Sequence, residues 1–205
     1  MISDLLIASN NPDKLAELAA LLGHLPLKLH GLRDFEHLQP TLEDRDTIAG
    51  NAIKKALEAA LGSGMLCLAD DTGLFIDALE GAPGVYAARF AGENCSYADN
   101  RRKTLQLLNG HTNRHASFRT AVALAAPGGL IAVVEGKVEG EITLCERGSS
   151  GFGYDSMFAI HGITYAEMDE AAKTGCSHRA EAIKAIMPVL SKIAEESTGF
   201  SGSNG

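Results

Sequence analysis

The sequence lacks the closely spaced cysteines of a zinc site. Its four cysteines, Cys67, Cys95, Cys145 and Cys176, lie 28, 50 and 31 residues apart, so it has no Cys-X-X-Cys pair and no Cys/His zinc spacing. The simplest interpretation is an intracellular chain whose cysteines stay reduced.

An excess of basic residues is also absent. The chain has 18 Lys and Arg against 26 Asp and Glu, which gives a formal net charge of −8. This charge repels the phosphate backbone of DNA or RNA, so we do not expect a nucleic-acid polymer as partner. It does not exclude a small anion in a local basic pocket, because binding depends on the site rather than on the total charge.

Long hydrophobic runs are missing as well. No apolar run reaches membrane-spanning length. Asp4 and the polar residues from Ser9 interrupt the N-terminal apolar stretch too soon for it to form the core of a signal peptide. We therefore expect no membrane association and a cytoplasmic location. With 205 residues, 45% of them hydrophobic, we expect a single two-lobed domain over residues 1–196 and a disordered tail at 197–205.

Three common catalytic and nucleotide-binding motifs do not occur. The sequence contains no Gly-X4-Gly-Lys-Ser/Thr, no Gly-X-Gly-X-X-Gly after a strand and no Gly-X-Ser-X-Gly. P-loop, Rossmann and hydrolase-elbow interpretations therefore have no support.

The elements that are present predict an α/β fold. An apolar run at 5–8 precedes a helical pattern from Pro12 to Leu22, for which Asn11 is a suitable N-cap. A second helix is predicted near 48–62, and a strand at 65–69 that ends at a turn over 70–73. Two strands flanking 127–129 form a hairpin pattern, and a last helix is predicted to begin after Ser177.

Two predicted helices carry cations at their positive ends, where a bound anion would be favoured. Lys14 lies in the first turn of the first helix, and Ser9, Asn11 and the helix-start N–H groups would complete a phosphate cradle. His178 and Arg179 repeat the pattern at the last helix. The alternatives are a solvated Lys14 and an Arg179 paired with a nearby acid such as Glu181.

Asp70 and Asp71 can serve one site only if the strand ends there and turns, since successive side chains of a strand point to opposite faces. Such clustered carboxylates beside phosphate suit Mg²⁺, although a solvated loop is the alternative. On the second helix, Lys55 is predicted to reach a cleft, whereas Lys54 is predicted to meet only water.

Phe152 lies in the glycine-rich segment Gly-Phe-Gly-Tyr-Asp. Its ring could stack on a nucleobase, and Asp155 could accept a hydrogen bond from that base. The alternative is a phenylalanine that fills the core.

Taken together, the motifs resemble the inosine triphosphate pyrophosphatase family, which includes dITP/XTP pyrophosphatases and other non-standard purine NTP pyrophosphatases. The resemblance covers about residues 5–190 and rests on these blocks, in chain order: Ser9-Asn10-Asn11-Pro12-Asp13-Lys14, Glu43 with Lys55, Asn51-Ala52, Ala69-Asp70-Asp71-Thr72-Gly73-Leu74, Gly81-Ala82-Pro83-Gly84, Ala88-Arg89-Phe90, Gly151-Phe152-Gly153-Tyr154-Asp155 and Ser177-His178-Arg179.

The resemblance implies hydrolysis of dITP, ITP and XTP to the nucleoside monophosphate and pyrophosphate, which removes deaminated purines from the nucleotide pool. It also implies a two-lobed α/β fold, in which a mixed central sheet is flanked by helices and a nucleotide cleft lies between the lobes. Mg²⁺ dependence and a homodimer follow from the same resemblance.

The resemblance also assigns roles to individual residues. On the phosphate side it places substrate-binding residues at Ser9, Asn11, Lys14, Lys55 and Thr72. It places metal ligands at Glu43, Asp70 and Asp71, with Asp71 also activating water, and base-binding residues at Phe152, Asp155, Lys173, His178 and Arg179. The chain departs from the family pattern at Ile48, Gly50 and Ser156, none of which is a matched reactive position.

Two other functions are compatible with the same residues. One is a non-catalytic nucleotide-binding module, which would release intact triphosphate. The other is a pyrophosphatase for modified pyrimidine nucleotides, which would leave dITP largely unhydrolysed.

Overall fold

The structure is a computed structural model that describes residues 4–198. In chain order its strands and longer helices are β1 (Asp4–Ile7), α1 (Pro12–Leu22), β2 (Lys28–Gly31), α2 (Ile48–Ser63), β3 (Leu66–Ile76), β4 (Pro83–Gly84), α3 (Tyr97–Leu107), β5 (His115–Ala126), β6 (Gly129–Ile142), β7 (Phe158–Ile160), β8 (Ile163–Thr164), α4 (Glu170–Cys176) and α5 (His178–Thr198). None of the helices in this part of the chain has the length and apolar character needed to cross a membrane.

The strands of the described chain form a mixed sheet in the order β2-β1-β3-β5-β6-β7-β8, with β4 paired to β3. β1 pairs in parallel with both β2 and β3. β4, β7 and β8 form antiparallel pairs. The predicted α/β fold with a mixed central sheet is therefore confirmed, and β5 and β6 meet at the predicted hairpin.

The described residues fall into two compact units. The first contains residues 4–71, 121–136 and 179–198, and the second contains 72–120 and 137–178. The nucleotide cleft between two lobes stays a prediction. Helix α5 runs to Thr198 and so includes the first two residues of the predicted tail, and the rest of that tail lies outside the described residues.

In the first unit, helices α1 and α5 cover one face of the strands. The apolar core on this face contains alternate residues of β3, including Leu66 and Leu68, which pack with Leu18 of α1 and Ile186 of α5. The period of two in a strand places Asp70 on this same face.

Helix α2 packs on the opposite face of β3. Its buried alanines include Ala52, Ala56 and Ala60, and Ser63 near its end contacts Cys67 of β3. Cys67 shares its face with Ala69 and Asp71, again by the period of two. The two neighbouring aspartates therefore point to different helices.

The core of the second unit is rich in aromatic side chains. The ring of Phe118 on β5 lies 4.7 Å from that of Phe158 and 4.6 Å from that of His178, centroid to centroid. Tyr154 and Tyr165 belong to the same cluster. This packing places His178, one of the predicted base-binding residues, against the aromatic core.

Candidate active site

Strand β3 does not end at Asp70, as the sequence had predicted, but continues without a break to Ile76. The prediction of a turn at Thr72-Gly73 was wrong, because the strand passes through these residues and pairs with β4 at Leu74 and Phe75. Asp70 and Asp71 are nevertheless both buried. They lie just past the end of β1, whose last residue, Ile7, is opposite Leu68.

Asp70 is enclosed by cations on the α1 and α5 face. Its Oδ2 accepts from Nε and Nη2 of Arg179, at 3.3 and 3.2 Å, and lies 3.1 Å from Nζ of Lys14. Arg179 also pairs with Glu17 of α1 through Nη1. Arg179 thus pairs with two acids that are distant in the chain, whereas the local sequence pattern suggested the nearby Glu181.

Electrostatics keep Asp70 ionised. Burial alone would raise its pKa, but the charges of Lys14, Arg179 and Lys55 outweigh burial and hold the pKa well below its usual range. For Lys14 the balance is reversed, since burial outweighs the attraction of Asp70 and lowers the pKa of its ammonium. An anion bound beside Lys14 would therefore stabilise its charged form.

Asp71 belongs to a second cluster, on the α2 face. Its Oδ2 accepts from Nδ2 of Asn51 at 3.0 Å, and its Oδ1 lies 3.6 Å from Nζ of Lys55. The same ammonium donates to Oε1 of Glu43 at 2.6 Å. Lys55 thus contacts two carboxylates at once, and the structure brings Glu43, Lys55 and Asp71 together as predicted.

The pKa values of this second cluster move in a direction that suits proton transfer. Burial raises the pKa of Asp71, and Lys55 offsets only part of that effect. Burial would lower the pKa of Lys55, but Asp71, Asp70 and Glu43 together raise it. A carboxylate with a raised pKa is a better proton acceptor than an ordinary surface aspartate.

Lys54 does not meet only water, contrary to the sequence-based expectation. Its Nζ donates to the backbone oxygen of Leu42 at 2.8 Å and to Oδ1 of Asp44 at 2.9 Å. These residues flank Glu43 in the chain. Lys54 therefore helps to hold the segment that presents Glu43.

The start of α1 is built as predicted, but its first amide groups are already engaged. Asn11 is the N-cap, and its side chain accepts from the backbone N–H groups of Asp13 and Lys14, at 2.9 and 3.3 Å. Oγ of Ser9 accepts from the N–H of Asn11 at 3.3 Å. A phosphate here would compete with Asn11 for the N–H groups of Asp13 and Lys14.

The predicted metal ligands do not all converge. Within residues 4–198, no three His, Cys, Asp or Glu side chains are grouped to hold a metal ion. Glu43 and Asp71 already share one cation, Lys55, whereas Asp70 faces the other side of β3 toward Lys14 and Arg179. Two carboxylates fit Mg²⁺, which takes one or two from the protein and fills its other positions with water and phosphate oxygens.

In the second unit, Asp155, Phe152 and Lys173 form one group. Oδ2 of Asp155 accepts from Nζ of Lys173 at 2.7 Å and from the N–H of Phe152 at 2.9 Å. The ammonium of Lys173 also lies 5.0 Å from the centre of the half-buried Phe152 ring. These three predicted base-binding residues are brought together.

His178 is fixed by the same unit. Its Nδ1 is 2.6 Å from Oγ1 of Thr120, which in turn lies 2.8 Å from Oγ1 of Thr72. Its ring stacks on Phe118 with an interplanar angle of 22°. The chain Thr72–Thr120–His178 thus links two predicted substrate-binding residues through one that was not predicted.

Sequence reasoning missed several residues of these clusters. Thr120 and Phe118 alternate along a predicted strand, so the pattern indicates that they share a face but does not indicate their partner. Glu17 follows Lys14 by three residues, which places both on one side of the helix. Asn51 was part of a recognised motif, but no role had been assigned to it.

Known proteins match this chain over nearly its whole length. Residues 5–189 match the model of the Ham1 family. A dITP/XTP pyrophosphatase of Desulforamulus reducens is 45% identical over 92% of this chain and 96% of its own length. One from Geobacter sulfurreducens is 44% identical over 87% of this chain and 92% of its own length.

Solved structures give the same result. A HAM1 protein from Coxiella burnetii superposes with a TM-score of 0.85 at 38% identity, covering 94% of this chain and all of that one. The Ham1 protein of Staphylococcus aureus superposes with a TM-score of 0.83 at 33% identity, covering 93% of this chain and 99% of that one. The likeness therefore extends over nearly the whole described fold.

Proposed function

This chain belongs to the Ham1 family, and from that premise we propose that it hydrolyses dITP, ITP and XTP to the nucleoside monophosphate and pyrophosphate. The observation that carries the proposal is the pair of ionic clusters around Asp70 and Asp71. Lys14 belongs to one cluster and Lys55 to the other, and each of them is paired with a buried aspartate.

The phosphate groups are bound by Lys14 and Lys55. Attack at the α-phosphorus requires that negative charge be neutralised on the non-bridging oxygens and on the departing pyrophosphate. Both ammonium groups are largely buried, so each is more effective against a phosphate than a solvated lysine would be.

Asp71 orients the attacking water and accepts its proton. Its carboxylate is buried and both of its oxygens face a nitrogen that fixes their direction, which supports this role. Oδ2 receives the Asn51 hydrogen bond, while Oδ1 faces Lys55. The proton leaves the water for the carboxylate as the new bond to phosphorus forms and the bond to the pyrophosphate oxygen breaks.

We propose that Glu43 and Asp71 hold Mg²⁺, and that Asp70 does not. When bound, this ion supplies positive charge to the triphosphate oxygens. Asp70 instead keeps Lys14 and Arg179 in place. The proposal is supported by the two carboxylates that already converge on the charge of Lys55.

Lys173 and His178, both in the second unit, recognise the purine base. A donor aimed at the 6-oxo group of hypoxanthine or xanthine would face another donor in adenine. Such a mismatch costs about 1–3 kcal/mol for each unpaired contact. Asp155 holds the Lys173 ammonium at 2.7 Å, which gives that donor the fixed position that discrimination needs.

A substrate panel tests the proposal. We expect dITP, ITP and XTP to be hydrolysed with Mg²⁺ in preference to dATP, with phosphate detected after addition of inorganic pyrophosphatase, and we expect EDTA to abolish the signal. Binding of dITP without hydrolysis would favour the non-catalytic module. Preference for dUTP or methylated pyrimidine nucleotides would favour the pyrimidine enzyme.

We also propose that the chain acts as a homodimer in the cytoplasm. All four cysteines, each within the described residues, are free thiols, which supports a reducing compartment. Light scattering on the purified chain tests the dimer.

Gly151 offers a test of the base side. Its φ is +74°, and a Cβ there would lie 2.1 Å from Oδ2 of Asp155. We expect Gly151→Ala to displace Asp155 from Lys173 and to raise KM for dITP about tenfold or more, because one lost charged contact is worth about 1.5–3 kcal/mol.

Gly153→Ala is the matched control for this variant. Gly153 lies in the same segment with a φ of +62°, but its Cβ would meet nothing within 4 Å. Both variants therefore carry backbone strain of about 1–2 kcal/mol, and only Gly151→Ala disturbs the carboxylate. Equal KM values for the two variants would contradict a role for Asp155 in base binding.

A further inference from the structure

Both the nitrogen and the oxygen of the Asn51 side-chain amide form hydrogen bonds. It lies in α2 and is 1% exposed. Its Nδ2 donates to Oδ2 of Asp71 at 3.0 Å, and its Oδ1 accepts from the backbone N–H of Arg45, also at 3.0 Å. One buried side chain therefore connects the aspartate on β3 to the segment before α2.

That segment is the one that presents Glu43. Lys54, one turn beyond Asn51 on α2, binds the backbone oxygen of Leu42. Asn51 binds the backbone N–H of Arg45. Residues 42–45 are thus fixed at both ends by α2, and the Glu43 carboxylate between them reaches Lys55.

We propose that Asn51 is a positioning residue for the hydrolysis, which orients the Asp71 carboxylate and ties the Glu43 segment to it. The inference rests on the proposed function. The carboxylate of Asp71 can rotate about its Cβ–Cγ bond. The hydrogen bond from Asn51 to Oδ2 selects the orientation in which Oδ1 faces Lys55. The same amide also holds the backbone of Arg45, two residues after Glu43. A shift of Asp71 is therefore transmitted to Glu43, and a shift of Glu43 to Asp71.

The chain contains a matched control in Asn100. It is also 1% exposed, its Oδ1 accepts from the N–H of Ala91 at 2.7 Å, and its Nδ2 donates to the backbone oxygen of Ala88 at 3.0 Å. Asn100 therefore ties a loop to a helix in the same way as Asn51 does. The differences are that its amide group donates to a backbone oxygen rather than to a carboxylate, and that its Oδ1 also accepts from the thiol of Cys95 at 3.2 Å.

The experiment compares Asn51→Ala with Asn100→Ala in kcat and KM for dITP. Loss of a hydrogen-bonding partner behind a ligating or reacting group typically costs about 10- to 100-fold in activity. We expect kcat of Asn51→Ala to fall by that factor while KM changes less than about threefold, and kcat of Asn100→Ala to stay near wild type. Both variants should lose similar thermal stability, since both remove a buried amide.

Two further measurements separate the parts of the proposal. Hydrogen exchange should speed up at the Arg45 amide in Asn51→Ala, and at the Ala91 amide in Asn100→Ala. Lys54→Met, which loosens the same segment but leaves the Asn51–Asp71 bond, should lower kcat less than Asn51→Ala does.

Three outcomes would overturn the inference. A wild-type kcat in Asn51→Ala would remove Asn51 from the role, and so would an equal loss of kcat in Asn100→Ala, because the effect would then follow from general damage to the fold. Unchanged exchange at Arg45 would show that the segment is held without Asn51. Absence of hydrolysis in the unmutated chain would instead refute the proposed function itself.

Discussion

Replacing Asp71 with Asn should lower turnover of dITP by about two orders of magnitude or more, the usual scale for loss of a general base. Asn has nearly the same shape, so the contacts with Asn51 and Lys55 can be kept in part, but it cannot accept the proton of the attacking water. We expect the Kd for a non-hydrolysable dITP analogue to change much less than kcat.

Steady-state kinetics and calorimetric titration of the analogue provide the measurement. Asp77→Asn is a suitable control, because Asp77 is an exposed acid paired with His115 at 2.8 Å and has no contact with either cluster. A variant Asp71→Asn that turns over dITP at the wild-type rate would show that another group activates the water.

The neighbouring change, Asp70→Asn, should act mainly on stability. Its carboxylate is buried against Lys14 and Arg179, so neutralising it leaves two cations without their main counter-charge. Breaking a buried ion pair in this way costs about 3–5 kcal/mol. For Asp71, whose pKa is raised by burial, we expect Asn to change the free energy of unfolding far less.

Urea denaturation of the two variants at neutral pH measures this contrast, and its pH dependence adds a second check. Because the folded-state pKa of Asp70 is lowered, its contribution to stability is present above the unfolded-state pKa of about 3.9 and is lost as the pH falls through the folded-state value. Asp70→Asn should show a weaker loss of stability on acidification than wild type. Equal unfolding free energies for the two variants would contradict the separation of roles.

Local features of the site could be predicted from the sequence. The apolar run, Asn11, Pro12 and the helical period together define β1 and the start of α1, because capping and periodicity depend only on near neighbours. The end of α2 was predicted for the same reason. Lys55 was correctly placed on the flank of the helix because its angle relative to the apolar stripe follows from helix geometry.

Contacts between distant segments of the chain were harder to predict from the sequence. The partners of Arg179 lie 109 and 162 residues away in the chain, and no local pattern indicates such a distance. Lys54 was expected to meet only water because the helix pattern does not show that residues 42–44 return to cover that side. The direction of Asp70 relative to Asp71 depended on whether the strand continued, and Thr72-Gly73 is compatible with either outcome.

The alternation of Asp70 and Asp71 across β3 makes this strand intolerant of changes in length. The pairing of Leu66, Cys67 and Leu68 with β1 fixes the register before the two aspartates. Deletion of a single residue between Leu68 and Asp70 would exchange the faces of both acids, since a one-residue slip reverses every side chain. The buried guanidinium of Arg179 would then lose the carboxylate of Asp70, and Asp71 would leave Asn51 and Lys55. The number of residues in this segment is therefore constrained more tightly than the identity of its individual apolar residues.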